Sequence, residues 1–405
     1  MPEPVICAVA RTPFGRYRGA LREYSATQLG ALAVTELLRR VDIDATSGIV
    51  DELLFGQVLQ AGTGQAPARQ VALAAGLPAT TPCTTLNKVC GSSLKAVMIA
   101  ASAIRAGEYA VVVCGGMESM TNAPQFVKDA EKGVDVPFSD LESVMVHDGL
   151  WDPHNDEHMG NTGETVALEY EISRVECDNF STRSHALAAT AWADGRLGWE
   201  SFPVAGIDRD GTAFELRQDE GIRSDTTAEK LAELRTVFDV KGRITAGNAS
   251  QLSDGAAAIL VASEAAAAEH GWPVLARIID QTTSGVEPAR VMAAPIPAVE
   301  TLLTRNGLTI GDLAVLEHNE AFAAASCAVA KALGVDDARF NPHGGAVAIG
   351  HPLGATGARC LATTINALRA AEPQSDGLAA RGITTICLGG GNAVAMLVEA
   401  GPDLV

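Results

Sequence analysis

The chain has 405 residues and a formal charge of −19, from 30 Lys and Arg against 49 Asp and Glu. Its 47% hydrophobic and 20% charged residues give a globular balance, long enough for two or three core-burying units. The acidic surplus argues against nonspecific binding to nucleic acid or anionic membranes.

No apolar run reads as long enough to span a bilayer. The N-terminus lacks a basic start followed by a long apolar core, and Gly401–Val405 carries no lipidation or peroxisomal address, so a cytoplasmic protein is expected. Eight cysteines, none in a CxxC pair, are too sparse for a disulfide scaffold. His147, His154 and His158 lie close in sequence without an HExxH pattern or a flanking cysteine pair, so no metal is expected.

In chain order, Val5–Val9 reads as an opening strand, Thr27–Arg40 as a helix and Glu52–Gly56 as a segment leading into a polar loop. Cys90–Gly91–Ser92–Ser93 opens a small-residue helix, about Leu94–Ala106. The strand that follows, Ala110–Cys114, is expected to end at Gly115–Gly116. From about 123 to 247 the chain turns richer in Asp, Glu, Arg, Gly and Trp. An insertion of this kind suits a lid or substrate-binding wall, or else an oligomer contact. Beyond it, His351–Pro352–Leu353–Gly354 opens a second small-residue helix, about Ala355–Ala370, and the strand Ile383–Leu388 breaks at Gly389–Gly390–Gly391. Two stretches on one plan predict a duplicated α/β unit with both special ends near one interface; chance likeness of two Ala-rich regions is the alternative.

Four motifs carry candidate chemistry. Cys90 sits before a helix, where the dipole and free N–H groups are expected to lower its pKa and to bind an oxyanion; a buried structural cysteine is the other reading. His351, held extended before Pro352, suits a base or a hydrogen bond to a thioester oxygen, or loop packing. His343 is a weaker candidate in the same loop. Cys387 ends a buried strand beside three glycines, so N–H groups again flank a thiol. Glu317–His318–Asn319–Glu320 interrupts an apolar strand, where polar groups are costly unless satisfied; Asn319 suits a held water or carbonyl oxygen, or a helix cap. The remaining cysteines, Cys114 among them, read as structural.

Together these residues resemble the thiolases, and most closely the acetyl-CoA C-acetyltransferase branch. The resemblance runs from Ala10–Arg11–Thr12–Pro13 through Gly115–Gly116–Met117–Glu118–Ser119–Met120 and Thr245–Ala246–Gly247–Asn248–Ala249–Ser250 to Gly389–Gly390–Gly391. It implies a five-layered α/β/α/β/α core of two similar halves. The N-terminal half would span 1–122, completed by about 248–275, and the C-terminal half 276–405. The loop domain, 123–247, would bind coenzyme A.

By the same resemblance Cys90 is the acyl-accepting nucleophile, His351 its base, Cys387 the acid/base thiol and Asn319 the holder of an oxyanion-hole water. Gly389 supplies an oxyanion-hole N–H. His158, Met159 and Met292 would shape the acyl end, with Ser250, Ala321 and Phe322 beside them, and Arg223, Leu234 and Ala246 would lie along coenzyme A. The implied reaction joins two acetyl-CoA into acetoacetyl-CoA and CoA. The alternatives are cleavage of longer 3-ketoacyl-CoA and a non-catalytic acyl-CoA or lipid binder. The implied substrates are acyl-CoA and coenzyme A, with no metal or bound redox cofactor, in a homodimer or homotetramer. Ser93, Gln251 and Asn392–Ala393 depart from the family pattern and are expected to affect the pocket.

Overall fold

The computed structural model describes residues 1–128, 137–370 and 379–400. The C-terminal Gly401–Val405 lies outside the described residues.

Apolar, β-branched runs form two sets of strands with one pattern. The first comprises β1 (Pro4–Arg11), β2 (Glu52–Gly56), β3 (Cys83–Leu86), β4 (Val111–Ser119) and β5 (Ser253–Ser263). The second comprises β6 (Ala276–Gly285), β7 (Val315–His318), β8 (Ala380–Leu388) and β9 (Asn392–Ala400). In the first set β1 pairs antiparallel with β5, β5 antiparallel with β4, and β4 parallel with β2, which carries β3 on its edge. The second repeats this: β6 antiparallel with β9, β9 antiparallel with β8, β8 parallel with β7. The two meet where Val5 and Ile6 of β1 face Arg277 and Ala276 of β6. Identical pairing in the same order is duplication, read from the backbone.

Helices fill three layers around these sheets. Two of them, α2 (Ser92–Ala106) and α7 (Thr356–Arg369), lie between the sheets, where Leu94, Val97 and Ile104 pack with Leu361 and Ile365 against Ile259, Ile386 and Val394. Outside the first sheet lies α1 (Ala26–Arg40), started by a Ser25–Gln28 capping box. Outside the second lie α5 (Pro295–Asn306) and α6 (Ala323–Leu333). The insertion contributes α3 (Met159–Glu169) and α4 (Arg174–Ala193), whose Val166, Cys177 and Phe180 join the same outer core as Val329 and Phe340.

Two expectations change. The first is that Gly115–Gly116 does not end its strand: β4 continues to Ser119. The glycines answer to close approach instead, since a Cβ on Gly115 would stand 2.2 Å from Ala257 O and one on Gly116 2.0 Å from Gly354 O. The second concerns Val89–Ala106, whose 18 residues average a hydropathy of 1.3 and so equal a bilayer span in length and apolarity. That segment is the α2 region, and its apolarity is spent on both sheets of the core.

Candidate active site

The start of α2 is built to present Cys90. Val89 sits at φ +45°, a strained conformation for a β-branched residue. The bend is held by Ser92, whose Oγ accepts from Lys88 N at 2.8 Å and donates to Val89 O at 2.6 Å. Gly91 is needed because a Cβ there would stand 2.4 Å from Leu388. The backbone N–H groups of Cys90 and Gly389 face the Cys90 sulfur, as an oxyanion site beside a nucleophile requires.

The expected lowering of the thiol's pKa is not what the surroundings produce. Burial pushes the Cys90 thiol up, the nearby Cys387 adds to this, and the two N–H groups pull back only in part. Part of Cys90 faces the open cleft, so water moderates the push, but its direction is upward. In these surroundings resting Cys90 is a thiol, so a nucleophilic role would call for a base beside it.

His351 has the tautomer for that task. Its Nδ1 lies 2.8 Å from Thr356 Oγ1, at the first residue of α7. Where the hydroxyl gives its one hydrogen to Pro352 O at 3.0 Å, Oγ1 accepts from Nδ1–H. This assigns the ring proton to Nδ1 and leaves Nε2, buried and without a partner in the protein, as the acceptor. Burial, reinforced by Arg359, pushes the imidazole pKa down to about 3, so the ring is neutral. The main chain of His351 is fixed too, its N–H reaching Gln251 O at 3.0 Å and Ser253 Oγ at 3.2 Å.

Cys387 ends β8 and is clasped by Asn319. Asn319 Oδ1 accepts from Cys387 N at 3.1 Å and from its thiol at 3.3 Å, and Nδ2 donates to Cys387 O at 3.2 Å. Burial pushes this thiol up to about 12. Helix capping by Asn319 is excluded, since Phe322 is the N-cap of α6 and makes no side-chain cap bond.

The other polar residues of this stretch are partnered as well. Glu317 pairs with Arg359 at 2.6 Å, and Glu320 accepts from Ser184, Asn341 and Val347 N. His318 Nδ1 accepts from Glu320 N at 3.3 Å. A second buried chain runs from Asp219 through Arg11 to Glu200.

Cys90, His351, Cys387 and Gly389 line one narrow apolar cleft enclosing about 430 Å³, part of it open to solvent. Met159, Ser250, Met292, Ala321 and Phe322 line it as well, and Asn319 stands behind Cys387. The remaining expected residues do not line it. His158 caps α3 through Nδ1 and stacks on Phe238 at 4.7 Å, which in turn meets Phe322 edge-on. Arg223, Leu234 and Ala246 are exposed outside the cleft. His343 is buried in the loop before His351 and is not part of the cleft lining. Among the described residues no three His, Cys, Asp or Glu side chains converge as a metal site.

Sequence reasoning missed Thr356, whose signal was a hydroxyl opening the helix just after His351. It also left Glu118 without a role. Its buried carboxyl accepts from Val58 N, Leu59 N and Gly354 N, tying the loop after His351 to the polar loop after β2, and burial pushes its pKa up to about 7. Val89, Gly149, Leu150, Val291, Leu353 and Leu388 complete the cleft and carry no polar signal.

Comparison with known proteins agrees with this architecture. Residues 4–265 match the N-terminal domain of thiolases and residues 272–400 the C-terminal domain. An acetyl-CoA acetyltransferase of Pseudomonas aeruginosa is 44% identical over 396 residues, 98% of this chain and 99% of that one. A probable acetyl-CoA acetyltransferase of Escherichia coli is 43% identical with the same coverage. Among solved structures, human mitochondrial 3-ketoacyl-CoA thiolase superposes with a TM-score of 0.91 at 35% identity, covering 98% of this chain and 99% of that one. A thiolase of Ascaris suum in complex with coenzyme A gives 0.89 at 36% identity, covering 98% and 100%. The chain belongs to the thiolase family. It is an acyltransferase with thiolase activity.

Proposed function

We propose that the protein interconverts two acetyl-CoA with acetoacetyl-CoA and CoA. The observation that carries this reading is a neutral His351 with a free Nε2 and two thiols, Cys90 and Cys387, lining one apolar cleft. The printed names of the bacterial relatives support the acetyl substrate, and the Ascaris suum complex supports coenzyme A as the carrier.

In the first half-reaction Cys90 attacks the thioester carbonyl while His351 Nε2 takes and keeps its proton, and the departing CoA sulfur takes the proton of the Cys387 thiol, which leaves Cys387 as thiolate. The N–H groups of Cys90 and Gly389 receive the oxyanion. In the second, Cys387 as thiolate removes a proton from the α-carbon of another acetyl-CoA. A thiol held up to about 12 has a strongly basic thiolate, suited to so weak a carbon acid. His351 and a water held by the second N–H of Asn319 Nδ2 stabilise the enolate oxygen. The enolate attacks the acyl-cysteine and frees the Cys90 sulfur, which takes back the proton held on His351 Nε2, while Cys387 keeps the α-carbon proton, so the cycle restores both thiols and the neutral imidazole.

Arg223, Leu234 and Ala246 are assigned to coenzyme A, and His158, through Phe238 and Phe322, to the wall that limits chain length. A homodimer or homotetramer in the cytoplasm, free of metal and of bound redox cofactor, completes the proposal. The test is thiolytic activity across 3-ketoacyl-CoA chain lengths beside the condensation assay. Highest kcat/KM on acetoacetyl-CoA supports the reading, and a maximum at eight carbons or more overturns it in favour of degradative 3-ketoacyl-CoA cleavage.

A further inference from the structure

Gln251 stands just before β5 and makes contacts with three chain segments. Its side-chain Nε2 donates to Gly221 O at 3.0 Å, to Val347 O at 2.9 Å and to Ala348 O at 3.2 Å. Its main-chain carbonyl accepts the N–H of His351 at 3.0 Å and the hydroxyl of Ser253 at 2.8 Å. One residue therefore joins the loop around Gly221, the helical turn Ala346–Ile349 and the backbone of the histidine itself.

The joint has no slack. A Cβ on Gly221 would stand 2.7 Å from Ala348 O and 2.8 Å from Gln251 Nε2. Gly350, at φ +110°, would bring a Cβ to 2.3 Å from Ser253 Oγ. The loop side is equally fixed, since Asp219 holds Arg11, Phe14 N and the Trp192 indole, and Arg223 N donates to His185 Nδ1 at 3.1 Å. Ile222 packs beside Ala348 and Ile349. The loop that carries Arg223 and the turn that carries His351 thus share one amide as a rivet.

We propose that Gln251 is a positioning residue that couples the coenzyme-binding loop to the catalytic base. The inference rests on the thiolase reading of Arg223 and His351. Without the amide, three carbonyl oxygens converge with no donor between them. The loop and the turn then separate, moving Arg223 away from the nucleotide and His351 Nε2 away from Cys90.

Gln251→Met keeps the length and removes the donor. Two acyl donors separate the effects: acetyl-CoA, and S-acetyl-N-acetylcysteamine, which lacks the nucleotide. Rates are taken per acylatable Cys90, so that loss of folded protein does not enter. The expected result is a fall in acylation kcat of about tenfold or more with both donors and a rise in KM of about fivefold or more for acetyl-CoA alone, with Gln251→Glu worse than Gln251→Met because a carboxylate adds acceptors where donors are needed. Unchanged kcat per acylatable Cys90, or equal KM changes for both donors, would overturn the coupling. Failure of the wild-type protein to acylate Cys90 with acetyl-CoA would instead overturn the functional reading on which it rests.

Discussion

Replacing Thr356 with valine tests the tautomer on which the mechanism depends. The hydroxyl is the acceptor for His351 Nδ1–H at 2.8 Å, because its own hydrogen is committed to Pro352 O. Valine keeps nearly the same outline at the first position of α7, and the site is fully buried, so no water can replace the oxygen. A buried donor stripped of its acceptor costs about 1–3 kcal/mol. That cost falls only on the tautomer with hydrogen on Nδ1, the one whose Nε2 can accept the thiol proton. At about 1.4 kcal/mol per factor of ten, the reactive fraction falls by about 5- to 150-fold. The assay is exchange of acetyl between acetyl-CoA and labelled CoA, which reads Cys90 acylation without carbon–carbon chemistry. Exchange should slow by that factor in Thr356→Val and return in Thr356→Ser. Wild-type exchange in Thr356→Val would refute the assignment of the proton to Nδ1.

Other substitutions and conditions probe the remaining parts. Cys90→Ala should carry no acetyl group after incubation with acetyl-CoA, whereas Cys387→Ala should still be acetylated at Cys90 and lose condensation by about 10²–10⁴-fold; peptide mass spectrometry and the two assays decide. Because burial holds the Cys90 thiol up, its alkylation by iodoacetamide in the free protein should rise with pH through 9, and a plateau with a midpoint near 6 or 7 would contradict that environment. Ser93 Oγ accepts Ala358 N at 2.9 Å, so Ser93→Gly should cost about 1–3 kcal/mol of stability in urea titration. Its ratio of kcat/KM on four- and six-carbon 3-ketoacyl-CoA should stay unchanged, since Ser93 does not line the cleft. His351 and His318 are pushed down to about 3, and His185 and His343 to about 4, all chiefly by burial. Their folded pKa values lie below the unfolded one, so they add stability above about pH 6.5 that drains away as pH falls. Glu118 and Glu317, raised to about 7 and 8, act in the opposite sense between about pH 4.5 and 8. Four histidines outweigh the two carboxyls, so stability in urea titration should fall from pH 6.5 to 4.5 and more steeply just below it, where each histidine still neutral only in the folded state costs about 1.4 kcal/mol per pH unit; a constant urea midpoint down to pH 3.5 would refute this.

What was legible in the sequence was whatever the chain writes locally. Cys90 before Gly91, His351 before Pro352 and Cys387 before three glycines each announce a bend at an element's end, and their repetition announced the duplicated sheets. Long-range partners were not legible. Ser93 read as a departure from the family pattern expected to affect the pocket; in the fold it does not line the cleft, and its hydroxyl accepts the N–H of Ala358 in α7, whose own N-cap, Ala355, has no polar side chain to offer. The two first turns that present Cys90 and His351 are thereby joined across 265 residues of sequence. Local pattern also misjudged the thiol: a cysteine before a helix predicts a lowered pKa from the dipole alone, but the apolar cleft formed by distant Met292, Phe322 and Leu388 raises it more than two N–H groups lower it. The same burial depresses His351, so the pair rests as thiol and neutral imidazole. A site of this kind carries little charge in the free protein. Thr356, Gln251 and Glu118, none of which lines the cleft, converge on the ring and backbone of His351 and on the loop that follows it, and Ser93 on the first turn of α7 behind it.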